Sequence, residues 1–361
     1  MINEKIELFS NTKYEIFKEQ KKRLQIEKSK IDKIENKKDW DKIKKITNTY
    51  EKIFSSNKYN INISNYIAIS RSFFKLWEII HEFNLIDKNK NIVSANLAEG
   101  PGGFIEAIIK YTKNVNVYGI TLKPKNVNTP NWNKFRKKFN KKNIKTLFGS
   151  LYDVNILKKY KKLVKSADIV TADGGFDYSS NFNTQEEQSY RIIFCEIVSA
   201  LLVQKKGGSF VCKIFDIFNI FTLKCIYLLF KHYGEIIIYK PKTSRLANSE
   251  KYLVCKKYMG IKNDKMISLL NCVKNWTDNI NDIKGIKITN KFIKFIYKYN
   301  EKYLNKQIKI INLTILYINK KLINKEYNKI IFNQILKAIE WCNKYNIEIN
   351  KNSYYYKKFI D

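Results

Sequence analysis

Apolar residues change their spacing twice along this chain. Over residues 1–60 they recur three and four apart, as in Ile6, Phe9, Tyr14 and Phe17. That period predicts two or three helices, and a further helix over 72–83. Then the pattern shortens. Compact β-rich runs fall at 92–98, 115–121, 145–148, 168–172, 209–214, 235–239 and 252–255. Helical stretches at 104–111, 186–203 and 217–233 separate several of them. Strands that alternate with helices predict a mostly parallel sheet. The last two runs are joined by a loop without a helix, so they are expected to pair antiparallel at the sheet's edge. From about 261 the helical period returns and lasts to the end. The resulting division is a helical stretch over 1–60, an α/β unit over 61–260 and a helical stretch over 261–361.

Composition narrows the partners. The 361 residues are 44% apolar, enough for a sizeable core. They carry 68 basic against 33 acidic side chains, a formal charge of +35. Such a surface attracts polyanions, nucleic acid first and an acidic membrane second. The bias to Lys, Asn, Ile and Tyr also fits an AT-rich viral or protist genome, which accounts for part of the lysine excess. The longest apolar stretch, 214–230, is broken by Asp216 and Lys224, so it does not read as a membrane span. The start, MINEKIELFS, has no signal-peptide core. A soluble, intracellular protein is expected, with cytoplasm and nucleus undistinguished. The six cysteines contain no C-x-x-C pair and only two histidines accompany them. They read as reduced core thiols, with no metal site expected.

Two features carry chemistry. The loop Ala98-Glu99-Gly100-Pro101-Gly102-Gly103-Phe104 follows a strand run and opens a helix. Glycines there let the backbone approach a ligand closely, which suits a nucleotide-like cofactor at a strand's carboxyl end. A dinucleotide fingerprint would need a third glycine where Ile105 stands. The second feature is a set of ionisable residues. Lys75 lies among Phe73, Phe74 and Leu76; Asp173 ends a strand run; Lys213 lies inside the apolar run 210–215; Glu250 precedes the last run. A lysine within a buried strand is costly unless paired or functional. Burial and a second lysine are expected to lower the Lys213 pKa, leaving an amine able to take a proton from a hydroxyl. Asp173 and Glu250 would orient the two ammonium groups.

At these residues the sequence resembles the FtsJ-like RNA 2′-O-methyltransferases, and most of all the cap-specific mRNA ribose methyltransferases of eukaryotes and large DNA viruses. Six blocks carry the resemblance in order over roughly 40–260. They are Ser70-Arg71-Ser72-Phe73-Phe74-Lys75-Leu76, the loop 98–104, Tyr118-Gly119-Ile120-Thr121-Leu122-Lys123, Ala172-Asp173-Gly174-Gly175-Phe176, the stretch 207–216, and the stretch 240–252 reading KPKTSRLANSEKY. The resemblance implies a Rossmann-like methyltransferase fold: a mostly parallel seven-stranded sheet with its last strand antiparallel, flanked by N- and C-terminal helical extensions. It implies S-adenosylmethionine as methyl donor and Lys75, Asp173, Lys213 and Glu250 as the catalytic set, with Lys213 the base. Gly100, Pro101, Gly102 and Gly103 are implied to hold the cofactor, with Glu99, Phe104, Thr121, Asp153 and Asp173 as further candidate contacts. It implies the 5′ end of capped mRNA as substrate and other capping enzymes or the transcription machinery as partners, with no membrane.

Some positions depart from the family or stay open. Glu99 stands where many relatives carry a small or uncharged residue. The second strand ends in Thr121-Leu122-Lys123, with no acid for a cofactor ribose. Asp153 is placed to contact an adenine or to cap the next helix. Arg71, Arg245 and Asn248 adjoin the catalytic blocks as candidate RNA contacts; pairing with a carboxylate is the competing role for each arginine. A methylated cap guanine suits aromatic stacking, but 24 tyrosines and 22 phenylalanines leave no single ring to choose. Residues 40–51 are expected to pack as a support. The tail is expected to pack one face on the α/β unit. Internal ribosomal or transfer RNA riboses, and a non-catalytic subunit that holds capped RNA, remain alternative readings.

Overall fold

A computed structural model describes residues 5–12, 14–56, 59–124, 131–139, 143–175, 182–320 and 322–361. Phe176, the last residue of the fourth block, lies outside them. Seven strands form the main sheet: β2 (Asn91–Leu97), β3 (Asn114–Thr121), β4 (Ile144–Phe148), β5 (Ala167–Ala172), β6 (Gln204–Ile214), β7 (Tyr233–Tyr239) and β8 (Lys251–Tyr258). Their order is β4-β3-β2-β5-β6-β8-β7. The pairs β3–β4, β2–β3, β2–β5 and β5–β6 are parallel. The reversed strand β8 is antiparallel to both its neighbours, β6 and β7. This is the Rossmann-like methyltransferase order, with the last strand inserted beside the edge as the short 235–255 connection predicts.

Alternation along the strands divides the core between the sheet's two faces. Phe210, Cys212, Ile214, Leu253 and Cys255 join one buried cluster, while Val211, Tyr252 and Val254 join the other. The first cluster is covered by α6 (Val154–Val164), α8 (Tyr190–Val203), α9 (Ile220–His232) and α10 (Asn263–Lys274). The second is covered by α3 (Ser72–Phe83) and α4 (Gly103–Tyr111). Each fully buried Val, Leu or Phe contributes about 1.5–3 kcal/mol, so both faces must stay covered. Polar groups inside the sheet are partnered. Asn96 Oδ1, in central β2, accepts from Thr171 at 2.9 Å and Ser94 at 3.1 Å. Short helices α5 (Asn133–Lys138) and α7 (Gln185–Gln188) fill connections. All six cysteines are free and buried.

The helical flanks wrap this unit. They comprise α1 (Lys18–Asp32), α2 (Lys37–Ile46), α11 (Asn290–Lys320), α12 (Asn324–Lys344) and α13 (Tyr354–Phe359). Along α11 the buried residues are Phe292, Ile296, Asn300, Leu304, Gln307, Ile311 and Thr314. That is one helical stripe, and its polar members are used. Asn300 donates to Ile217 O at 2.6 Å, Gln307 to Ala247 O at 3.0 Å, and Thr314 shares a hydrogen bond with Thr47 at 2.8 Å. No helix among the described residues is long and apolar enough to cross a membrane.

Three local expectations fail, each for a tertiary reason. The described residues of 6–17 are not helical. Glu7–Phe9 forms strand β1, paired antiparallel with β9 (Asp282–Lys284), and the backbone N–H groups of Ile16 and Phe17 donate to Phe218 O at 3.1 and 3.2 Å. Pairing with distant backbone overrides a helical period over so short a stretch. The helix expected over 186–203 is two, α7 and α8, divided at Ser189. The helix expected from 217 starts at Ile220. The N–H groups of Phe218 and Asn219 are held by the Glu186 carboxylate at 3.0 and 2.9 Å, which keeps them out of the helix.

Candidate active site

The carboxyl ends of β2, β5 and β6 converge where an open α/β sheet places its site. Asp173 follows β5 directly, Lys213 is the penultimate residue of β6, and Glu250 precedes β8, which starts beside the end of β6 because Ile214 pairs with Lys251. Lys75 comes from α3. The structure brings these four together as two ion pairs. Lys75 Nζ lies 2.8 Å from Glu250 Oε2, and Lys213 Nζ lies 3.2 Å from Asp173 Oδ1 while donating to Asp173 O at 2.8 Å. Neighbours fix the acids. Tyr252 Oη donates to Asp173 Oδ1 at 3.1 Å, and Ser244 Oγ to Glu250 Oε1 at 2.9 Å. Lys240 Nζ holds the backbone oxygens of Asn248 and Glu250 at 2.6 and 2.7 Å.

Electrostatics revise one expectation. Burial pulls the Lys213 amine down, but Asp173, Glu250 and Glu196 outweigh it and the net shift is upward. Lys213 is therefore cationic at rest, and the expected neutral amine is not the ground state. The lysine expected to repel it, Lys75, is instead bound to its own carboxylate. Burial raises the Glu250 carboxyl, yet Lys75 and Lys213 hold it down at about 2. Glu196 sits deeper. It accepts from Gly174 N at 2.9 Å, and burial pushes it up to about 8. Burial and the repulsion of Lys251 bring Lys240 down to about 7.

A cavity of about 540 Å³ opens on this set. Asp173, Lys213, Phe215 and Glu250 line it, with Gly100 and Pro101 from the glycine loop and Arg71 and Asn248 from the flanking blocks. Lys75 does not line it and bears on it through Glu250. A further wall comes from Lys28 and Ile31 of α1 and Trp40 and Lys44 of α2. The sequence reading took 40–51 as a support and chose no aromatic, so this wall was missed. Only tertiary packing brings α1 and α2 here, and one tryptophan at helical spacing carries no signal of its own. Glu196 was legible by the reasoning that singled out Lys213, as a lone acid in an apolar stretch, Phe194-Cys195-Glu196-Ile197-Val198.

The glycine loop is shaped by close packing. Gly102 has φ +109°, and a Cβ on Gly103 would stand 2.1 Å from Ser72 Oγ and 2.3 Å from Ser70 Oγ. Glu99 points inward, 2% exposed, and its Oε1 accepts from Phe104 N at 2.8 Å. That carboxyl takes the seat at the start of α4 that a dinucleotide's pyrophosphate would need. Burial and Asp173 raise its pKa well above the usual range. The side chains of Glu99 and Phe104 are enclosed, so they can serve a ligand only through backbone or packing. Thr121 ends β3 and accepts through its carbonyl from Gly149 N at 2.9 Å. Asp153 Oδ1 accepts from Asn155 N at 2.8 Å and caps α6.

Arg71 and Arg245 share Glu51. Arg245 binds it through Nε at 3.0 Å and Nη2 at 2.7 Å, and Arg71 Nη1 lies 3.4 Å away. Arg71 also donates to Thr243 O at 3.0 Å. Both guanidiniums thus have the carboxylate partner that sequence reasoning offered as their competing role, although Arg71 still lines the cavity. No cluster of three or more potential metal ligands occurs among the described residues.

Comparison with known proteins agrees with this geometry. The profile of a family described as FtsJ-like methyltransferase matches residues 68–258, just over half of the chain. The cap-specific mRNA (nucleoside-2′-O-)-methyltransferase 1 of Drosophila melanogaster is 33% identical over 182 residues, 48% of this chain and 23% of that protein. The inactive cap-specific mRNA (nucleoside-2′-O-)-methyltransferase 1B of Caenorhabditis briggsae is 31% identical over 252 residues, 62% of this chain and 29% of that protein. The chain thus spans less than a third of the length of either relative. Both are animal proteins and lend no support to a viral source. A solved ribosomal RNA methyltransferase from Plasmodium falciparum superposes with a TM-score of 0.41 at 20% identity, covering 53% of this chain and 99% of that one. Sheet order, glycine loop and family profile lead to one assignment: the chain belongs to the FtsJ-like methyltransferases.

Proposed function

We propose that this chain transfers a methyl group from S-adenosylmethionine to a ribose 2′-hydroxyl of RNA, with the first transcribed nucleotide of capped mRNA as the acceptor. Residues 61–260 are the catalytic unit in this reading, and the helical flanks complete the acceptor cavity. The observation that carries it is the pair of lysine–carboxylate bridges at the strand ends, one of which, Lys213–Asp173, faces a cavity with basic and aromatic walls. S-adenosylmethionine, when bound at Gly100–Gly103 and Asp173, supplies a methyl group already activated by a sulfonium, so the chain's own task is alignment and proton removal.

Lys213 is the residue placed to handle that proton. Its Nζ is fixed by two contacts to Asp173 and borders the cavity. As a cation it donates to the 2′-oxygen and orients a lone pair; once neutral it accepts the hydroxyl proton. Added positive charge in the cavity favours the neutral form. Glu250 borders the same space and accepts from an incoming hydroxyl. Lys75 and Ser244 hold Glu250 in one orientation and are positioning residues. Trp40 and Phe215 offer ring faces for a base. Lys28, Lys44 and Arg71 give the cavity the charge that attracts a phosphodiester.

The relative whose name marks it inactive supports one rival, a subunit that binds capped RNA without catalysis. Its similarity to this chain is close to that of the Drosophila enzyme. Intact lysine–carboxylate pairs favour catalysis over that rival. Labelled S-adenosylmethionine, offered with capped, cap-methylated and 5′-triphosphate RNAs, decides between them. Label on the first ribose of capped RNA alone, lost in Lys213→Ala, is the expected outcome. Equal label on uncapped RNA moves the acceptor to internal riboses. Tight binding of capped RNA with no label leaves the silent subunit.

A further inference from the structure

Helix α2 has two working faces. Trp40 and Lys44 line the active-site cavity, while Lys38, Lys42 and Lys45 line a second cavity of about 470 Å³. The two sets lie on different sides of a 3.6-residue helix. The second cavity continues onto Lys52 and, from α12, Tyr327 and Gln334. All of these residues lie outside the family match over 68–258, so this is an addition of the flanks and not part of the shared catalytic unit.

Its charge is unbalanced. Two acids line it, Asp41 and Glu51, and both already have cations: Lys44 for Asp41, Arg245 and Arg71 for Glu51. Lys38, Lys42, Lys45 and Lys52 have no carboxylate within 4 Å among the described residues. Lys52 is the telling member. It is only 7% exposed, yet its ammonium has no hydrogen-bond acceptor among the described residues and rests 3.5 Å above the Tyr355 ring. The nearby carboxylate of Glu51 is already bound by two arginines, a buried ammonium so placed is costly, and burial brings its pKa down to about 8 against the pull of Glu51. The amide group of Gln334 donates to the carbonyls of Lys45, Ile46 and Asn48 at 2.9, 2.8 and 2.7 Å. This pins the end of α2 and fixes the lysines along the cavity rim.

We propose that this second cavity is an anion site that takes a phosphodiester of the RNA strand at a distance from the ribose being methylated. The inference rests on RNA being the substrate. A strand whose target nucleotide occupies the first cavity would cross α2 to reach it. Four ammonium groups with no carboxylate within 4 Å among the described residues, one of them buried, and a tyrosine in the same wall match a phosphate-bearing strand better than a neutral or cationic partner.

The test is binding of labelled single-stranded RNAs of 4 and 16 nucleotides to the full chain over a range of salt. Native protein is compared with the double variant Lys42→Gln/Lys45→Gln, whose side chains are exposed, and with Lys52→Gln. Loss of two phosphate contacts lowers the slope of log affinity against log salt by about 1.4 for a single strand. The expected result is that drop for the 16-mer in the double variant, a weaker 16-mer in Lys52→Gln, and 4-mer binding unchanged in both. An unchanged 16-mer slope overturns the proposal, as does an equal loss for both lengths, which marks diffuse charge. Inorganic pyrophosphate is titrated in parallel. Binding that the variants abolish, with the RNA slope unaltered, overturns the strand assignment in favour of a free phosphate ligand. Methyl transfer is assayed separately on native protein. Its absence beside the expected slope change rejects the catalytic reading and leaves this site standing.

Discussion

Two buried clusters of lysine and carboxylate stand side by side at the end of β6, and only one turns its carboxylates to the cavity. In the first, Lys213 and Lys75 each have a carboxylate of their own, and Asp173, Lys213 and Glu250 border the cavity. In the second, Lys28 and Lys251 share the single carboxylate of Asp216 at 3.1 and 3.3 Å. Ser249 Oγ donates to Asp216 Oδ2 at 2.7 Å, and Gln307 of α11 donates to Ser249 Oγ at 3.3 Å. Burial raises the Asp216 carboxyl, but Lys28 and Lys251 bring it far below the usual range. Asp216 does not line the cavity. Composition cannot tell the clusters apart; access of the carboxylates to the cavity does, since Lys28 and Ser249 reach its wall but Asp216 does not. The second ties α1, β8 and α11 together and so holds the wall against which the first would work.

That contrast breaks first at Lys213. Lys213→Ala is expected to lower methyl transfer by about 10³-fold, within the 10²–10⁴ range of a lost proton acceptor. Asp173 keeps its Tyr252 hydrogen bond, so the fold survives. Single-turnover transfer and thermal melting, read together, check this. A rate within tenfold of native would remove Lys213 from the chemistry. At the second cluster the effect moves to stability. Asp216→Asn removes the carboxylate that Lys28 and Lys251 share in the interior, which costs about 3–5 kcal/mol. Urea unfolding reads that loss, while turnover per folded molecule stays within tenfold of native. If the rate falls and stability does not, the two clusters have exchanged roles.

The same contrast explains what the sequence disclosed. Strand runs and the glycine loop were legible because both faces of the sheet are buried, which forces apolar runs, and because close packing at Gly103 admits no side chain. The four ionisable residues stood out against apolar neighbours. The 6–17 segment was misread because its partners, 282–284 and Phe218, lie more than 200 residues away and no local period records them. The cavity wall from Trp40 and Lys44 was hidden for a like reason. The Lys213 charge state was misjudged because reasoning along the chain counted burial and a neighbouring lysine. It did not count three carboxylates converging from β5, α8 and the turn before β8.

Charge state offers a smaller, graded test. With its folded pKa raised, Lys213 is protonated through the neutral range. The reactive neutral fraction then rises tenfold per pH unit. For free protein, log kcat/KM for RNA should climb with a slope near 1 from pH 6.5 to 8.5 without levelling. A plateau starting near pH 7 would mean that the carboxylates do not control the amine. Stability has the opposite sign. The favourable interaction of a lysine with a raised pKa is fully present below its unfolded value of 10.5 and is lost as pH rises through the folded one. Native protein should therefore gain rate and lose stability at the alkaline end, and Lys213→Ala should show neither change from this group.

The smallest expected effect falls on the cavity wall and asks whether the flanks take part in recognition. Trp40 lines the cavity from α2 and is almost fully enclosed, so its ring serves packing and presents an edge or face to a ligand. Base stacking on an aromatic is worth about 1–3 kcal/mol, so Trp40→Leu should raise KM for RNA by roughly tenfold and leave kcat near native. Leucine keeps apolar bulk in the buried cluster that Trp40 shares with Ile31, which limits the loss of stability. Trp40→Phe should recover most of the KM, because it restores a ring, whereas a purely structural role would follow side-chain volume and stability instead. If Leu and Phe behave alike in KM while their melting temperatures differ, Trp40 is only a support. The acceptor would then be recognised by the sheet side of the cavity alone.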